Sequence, residues 1–295
     1  MPRNREKEKQ EKAEYSNLKS RLKTFTWEVF LFCLTFSLGL VSAVRLKEAL
    51  EFQKIVLPEI SFWDFVLAFS IATLFISFVS FSPIIKKGKG AIYKTLFVVT
   101  IWWTGASLIS VWLFDIAALS LMGLLVLWRW KKPNVFNHNL CMVLGLAGVG
   151  TILGMNINPK TMILLLLLFS VYDFIAVYKT KHMQRMAKEM AVHKAILAFI
   201  IPKEIVDFQK PLRETKPGGE FLMLGGGDIV FPLVFCVSLL SSGVVNALIV
   251  AVFSLIGLSV SFLIFISQKL RKPMPALPPI AFFSIIGYFL TLLFN

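Results

Sequence analysis

The sequence has little of what a soluble protein presents to water. Of 295 residues only 17 are acidic and 16% are charged in all, against 57% hydrophobic and a mean hydropathy of +0.74. That balance excludes a soluble globular domain, and the apolar residues come in blocks of about 20, the length at which a helix crosses a bilayer. Cysteine and histidine are scarce, at three each. Cys33, Cys141 and Cys236 lie in hydrophobic stretches without a CxxC motif, which reads as small buried side chains and not a disulfide framework. His138, His182 and His193 have no carboxylate or histidine neighbour at ligand spacing, so no metal and no cofactor are expected. No cleavable leader is evident, because residues 1–24 are charged and carry no apolar core of their own. The net charge of +14 would suggest nucleic acid in a soluble chain. Here the basic residues cluster at the ends of apolar stretches, where they set orientation and meet anionic lipid headgroups, so no nucleic-acid partner is expected.

Nine spans are read: Phe25–Val44, Phe62–Ser82, Ala91–Ser110, Ile116–Trp130, Leu140–Met155, Thr161–Tyr178, Phe221–Leu240, Val244–Ile266 and Ala276–Leu293. The division between the third and fourth rests on Gly105, Ser107, Ser110 and Asp115, with Asp115 read as a solvated loop residue. Glu28 and Asp64 lie near the starts of their spans and are expected to reach water. With this division, 27 of the 31 basic residues fall on the N-terminal side of the membrane. The positive-inside rule then places the N-terminus and the 6–7 and 8–9 loops in the cytoplasm and the C-terminus outside. Merging spans three and four would flip every later loop and largely cancel the bias.

The expected organisation is an all-α membrane protein of nine transmembrane helices: a basic tail over 1–24, spans one to six over 25–178, a cytoplasmic 6–7 loop over 179–220, and spans seven to nine over 221–295. The middle of that loop mixes apolar residues such as Ile196, Phe199 and Ile205 with Lys194, Lys203 and Glu204, and Pro202 interrupts any helix. It reads as a headgroup-level segment, a cover over a cytoplasmic opening, or a partly flexible linker.

Two acids stand out because lipid is a costly place for them. Asp228 lies in Gly225-Gly226-Gly227-Asp228 of span seven, and Asp173 follows Tyr172 in span six. Insertion scales put Asp at a helix centre at about 2.5–3.5 kcal/mol, so each needs a partner or a purpose. Asp173 precedes Lys179 by six residues and Asp228 follows Phe221 by seven, on antiparallel spans. At a rise of about 1.5 Å per residue, both lie roughly 9–10 Å from the cytoplasmic boundary. Alone, either acid reads equally well as a structural group bonded to a neighbouring helix. Level and adjacent, two poorly hydrated carboxyls hold one proton between them. In that state one draws a proton from water while the other hydrogen-bonds a carbonyl, as aspartic proteolysis requires. The three glycines read either as a close helix contact or as bare backbone that admits another chain. Pro273-Met274-Pro275-Ala276-Leu277-Pro278-Pro279 opens span nine from the same side, with four prolines that forbid regular helix.

These residues resemble the Gly-x-Gly-Asp intramembrane aspartyl proteases, the presenilins and signal peptide peptidases. Tyr172-Asp173 matches the family's Tyr-Asp, Gly225-Gly226-Gly227-Asp228 its Gly-x-Gly-Asp, and Pro275-Ala276-Leu277 its Pro-Ala-Leu, in order and on spans six, seven and nine. The resemblance implies a presenilin-like fold, Asp173 and Asp228 as catalytic dyad, and site-shaping roles for Tyr172, Gly225–Gly227 and Pro275–Leu277. Gly226 stands where presenilins typically carry Leu. The charge count gives the presenilin orientation, opposite to that of signal peptide peptidases, and the compact loop and tail resemble a microbial, archaeal homologue in the cell membrane. Substrates are then single-span helices within the bilayer, with no obligatory accessory subunit. Two rival readings stay open: a transporter or ion-leak protein whose acids bind protons or cations, against which stands the lack of an internal repeat, and a membrane-helix scaffold.

Overall fold

The computed structural model describes residues 2–82, 88–180, 189–190, 192–215, 221–268 and 273–294, with side chains from residue 21 to 293. Lys181, His182 and Lys269–Lys272, on which part of the sequence reading falls, lie outside the described residues. Among the described residues there are nine α-helices: α1 Pro2–Gln53, α2 Phe62–Phe81, α3 Lys89–Ser110, α4 Asp115–Lys131, α5 Val135–Asn156, α6 Pro159–Ile175, α7 Gly226–Ser238, α8 Val244–Ser267 and α9 Leu277–Phe294. Six of the helices are long and apolar enough to cross a membrane, and α7 and α9 are shorter apolar helices.

Local chemistry sets the helix boundaries. Asn134 and Asn158 cap α5 and α6 by accepting from the Asn137 and Thr161 amides, and Pro159 occupies the first turn of α6, where no amide hydrogen is needed. Ser61 caps α2 in the same way and also bonds the exposed Asp64 carboxylate. The chain breaks between α3 and α4, and Asp115 is the exposed first residue of α4. Helix α1 runs unbroken from the basic tail through the first span.

Helix α5 is the hub. It buries His138, Asn139, Met142, Leu146 and Thr151 among others and packs against α1, α3, α4 and α7. Helix α2 is the opposite case, with Trp63, Leu67, Ile71, Leu74 and Phe78 exposed as a lipid-facing helix would have them. It touches α6, where Phe69 meets Phe169 and Tyr172 edge-on. Helices α8 and α9 form the most extensive pair. Gly257 lets α9 approach so closely that a Cβ there would stand 2.6 Å from the Ile280 Cα, and Ser254 bonds Ser284 at 2.7 Å across the contact.

The all-α expectation requires one amendment. Strand β1, Ala198–Pro202, pairs antiparallel with strand β2, Phe221–Gly225, in the register Ala198↔Gly225 through Pro202↔Phe221. The seventh apolar stretch is therefore not one helix from Phe221. It is a strand that turns into α7 at Gly226, and the middle of the 6–7 loop supplies its partner.

Candidate active site

Asp173 is buried near the C-terminal end of α6, two residues before the helix passes into a π-helical turn over Ala176–Thr180. One of its oxygens, Oδ2, has no hydrogen-bond partner among the described residues. Asp228 is the third residue of α7, in the first turn, where free backbone amides and the helix dipole favour a carboxylate. The amide of Gly225 lies within hydrogen-bonding reach of it.

The two aspartates face each other closely enough to interact electrostatically, and the backbone amide of Leu277 lies within reach of both carboxyls. Leu277 is the first residue of α9, and residues 273–276 before it are non-helical. Pro278 and Pro279 sit inside the first turn of α9, where a missing amide hydrogen leaves no bond unmade. Thus two of the four prolines belong to a helix start, and only Pro273 and Pro275 keep the backbone extended. The Leu277 side chain and Pro275 are buried and Ala276 is half-buried.

The three glycines do different things. A Cβ at Gly225 would meet Asp228 Oδ2 at 2.9 Å, and one at Gly226 would meet the Leu197 carbonyl oxygen at 3.0 Å, where the Gly226 amide donates to that same oxygen at 2.9 Å. Gly227 is exposed, with no atom nearer than 3.5 Å to an added Cβ. Close packing therefore explains Gly226, and Gly225 leaves room for the Asp228 carboxyl. Tyr172 is 39% exposed and edge-on to Phe69 of α2.

Depth needs correction as well. Because Phe221–Gly225 is a strand, its rise is about 3.3 Å per residue, so Asp228 lies farther from Phe221 than a helical count gives. Glu28 was expected to reach water and does not: it is 4% exposed, with Oε2 lacking a partner among the described residues. One turn of helix from a span's start, α1 is already covered by neighbouring elements.

Sequence reasoning missed the anchor that holds the sheet. Asn139 on α5 donates Nδ2 to the Ile200 carbonyl at 2.7 Å and accepts the Ile200 amide at 3.0 Å, closing the outer edge of β1. His138, fully buried, pairs Nε2 with the Ala198 carbonyl at 2.9 Å. Arg129 lies 3.2 Å from His138 Nδ1, donates to the Lys194 carbonyl at 2.7 Å and stacks 4.0 Å over the Phe97 ring. The signal was the run Asn137-His138-Asn139 at the start of an otherwise apolar span. His138 is thus engaged by an arginine and a backbone carbonyl.

Comparison with known proteins agrees with this architecture. A family model described as signal-peptide peptidase, presenilin aspartyl protease matches residues 29–295. Two solved structures of a presenilin family intramembrane aspartate protease share the fold. One, in space group C222, has a TM-score of 0.60 at 19% identity, covering 90% of this chain and 98% of that one. The other, in space group P2, gives 0.57 at 21% identity, covering 90% and 96%. A comparison with curated proteins finds no match.

Proposed function

The chain belongs to the signal-peptide peptidase and presenilin aspartyl protease family, and on that premise we propose that Asp173 and Asp228 are the catalytic pair with which it cuts peptide bonds inside the membrane. The observation that supports this reading is the proximity of the two acids: Asp173 and Asp228, from different helices, interact electrostatically, and the Leu277 backbone amide lies near both carboxyls. In the proposed reaction the pair holds one proton. The ionised carboxyl takes a proton from water as the water oxygen attacks the substrate carbonyl carbon, and the protonated carboxyl hydrogen-bonds the carbonyl oxygen. The tetrahedral intermediate, its oxyanion held by the protonated carboxyl, then collapses: its C–N bond breaks as a carboxyl proton passes to the amide nitrogen, leaving a carboxylic acid, an amine and a pair that again holds one proton.

A helical substrate must unwind first, because its carbonyls are bonded and covered. The register supports a place for the unwound strand. Ile200 turns its amide and carbonyl to Asn139, so the Ile200–Met223 pair is a non-hydrogen-bonded one, and Met223 directs its own amide and carbonyl away from β1. No strand among the described residues pairs with that side of β2. A substrate strand added there would run towards Gly225 and the acids, with Gly227 and Pro275–Leu277 beside it. The substrates are transmembrane segments, entering between spans. The charge bias supports nine spans with the N-terminus in the cytoplasm and the C-terminus outside, and the compact tail and 6–7 loop support a place in the cell membrane of a microbe.

Purified protein in detergent should cut a single-span peptide into two fragments whose masses sum to the peptide plus one water. Intact peptide after prolonged incubation, together with ion flux in proteoliposomes, would overturn the reading in favour of a leak.

A further inference from the structure

Where the 6–7 loop meets the turn between α4 and α5, three cations from three separate segments line one recess. Lys132 follows α4, Lys194 stands four residues before β1, and Arg213 belongs to the short helical turn Leu212–Glu214. With Asn134 and Gln209 they line a cavity of about 380 Å³, within the range of small-ligand sites.

Backbone contacts build this recess. The Val135 amide donates to the Lys210 carbonyl at 3.1 Å, the Leu212 amide donates to the Pro133 carbonyl at 2.9 Å, and Asn134 and Pro211 form an antiparallel bridge, so the loop is pinned to the turn. Lys194 has a φ of 57°, a left-handed conformation that lysine seldom adopts, and the buried Arg129 donates to its carbonyl at 2.7 Å. Lys194 and Arg213 are therefore carried on backbone that other elements fix. Arg213 lies 4.0 Å from the Glu214 carboxylate, an exposed pair that holds it only loosely. Asp207, on the same loop, pairs with Lys210 at 2.9 Å.

A second observation sets the depth of the recess. Trp128 and Trp130, in the last turn of α4, are exposed, and Trp128 meets the exposed Phe136 of α5 with ring centroids 6.3 Å apart. Both rings of that pair lie within one helical turn of Lys132–Asn134 in the chain. Tryptophan at a helix end beside basic residues marks the boundary between acyl chains and headgroups.

We propose that this recess binds the phosphate headgroup of an anionic membrane lipid and so ties the 6–7 loop to the α4–α5 turn. Lys132, Lys194 and Arg213 supply the charge and the donors for the phosphate oxygens, and a basic pocket at the end of membrane helices suits such a headgroup. The aromatic pair favours a lipid over free phosphate, because it offers apolar surface to the glycerol and the first methylenes of the same molecule.

The test titrates the full chain in neutral detergent with phosphatidylglycerol, phosphatidylcholine or inorganic phosphate and counts bound molecules by native mass spectrometry. Wild type should retain one phosphatidylglycerol at concentrations where neither of the other two is retained. Lys132→Ala, Lys194→Ala and Arg213→Ala should each weaken retention by about fivefold, and the triple variant by about a hundredfold. A reference variant combining Lys23→Ala, Lys94→Ala and Lys203→Ala, which removes equal charge outside the recess, should bind as wild type does. Undiminished retention in the triple variant, or an equal loss in the reference variant, overturns the site. Phosphatidylcholine retained as well as phosphatidylglycerol overturns the need for an anionic headgroup, and inorganic phosphate retained as well overturns the lipid as its source. If the triple variant does not fold, unchanged retention in all three single variants overturns the proposal. None of these readouts depends on cleavage, so they stand apart from the fate of the proposed dyad.

Discussion

In the proposed site one backbone amide, that of Leu277, lies near both acids. Asp173 comes from α6, Asp228 from α7, and Leu277 from the start of α9. A side-chain change that leaves the amide should do less harm than one that removes its hydrogen. Leu277→Ala keeps the donor and leaves a cavity. Leu277→Pro removes the donor at a first helical position, which tolerates proline. A hydrogen bond to a charged group contributes about 1.5–3 kcal/mol, so Leu277→Pro should lose about ten- to a hundredfold more kcat than Leu277→Ala. Equal losses in steady-state cleavage would show that the amide does not serve the acids. The two aspartates were legible in the sequence because a carboxyl in lipid is costly wherever its helix packs. Glu28 was misread for the converse reason. One turn into a span, water or a neighbouring helix may equally cover a side chain, and only tertiary packing decides.

At the scale of elements, the sheet depends on residues far from it in sequence. Asn139 supplies two hydrogen bonds to Ile200, and Asn139→Leu would leave a buried amide and carbonyl unmade. Each unsatisfied group costs about 1–3 kcal/mol, so this variant should unfold at a lower temperature in detergent and lose kcat as β2 loosens. An unchanged melting temperature and rate would mean that the edge of β1 needs no closing. The strands were not legible beforehand. Ala198–Pro202 and Phe221–Gly225 are apolar runs of five residues each, too short for their period to separate strand from helix, and the second runs directly into a helix. The helices were legible, since their caps and prolines stand at the boundaries: Asn158-Pro159 before α6 and Ser61 before α2.

At the scale of the molecule, the basic residues gather at one end of the helices, and the proposed orientation follows from that. With Cys33, Cys141 and Cys236 replaced by serine, Lys210→Cys in the 6–7 loop should react with a membrane-impermeant thiol reagent only from the cytoplasmic side. Lys160→Cys, in the first turn of α6, should react only from the other. Labelling of both from one side would refute the nine-span orientation. The family match spans residues 29–295, nearly the whole helical body.

The most direct test takes the two acids one at a time. Asp173→Asn and Asp228→Asn keep size and polarity but remove the shared proton. Single-turnover cleavage of one transmembrane peptide by each should fall by about a hundredfold to ten-thousandfold, the span expected for losing a general acid or base, with peptide binding retained. Near-wild-type cleavage by either variant alone would contradict a two-aspartate site.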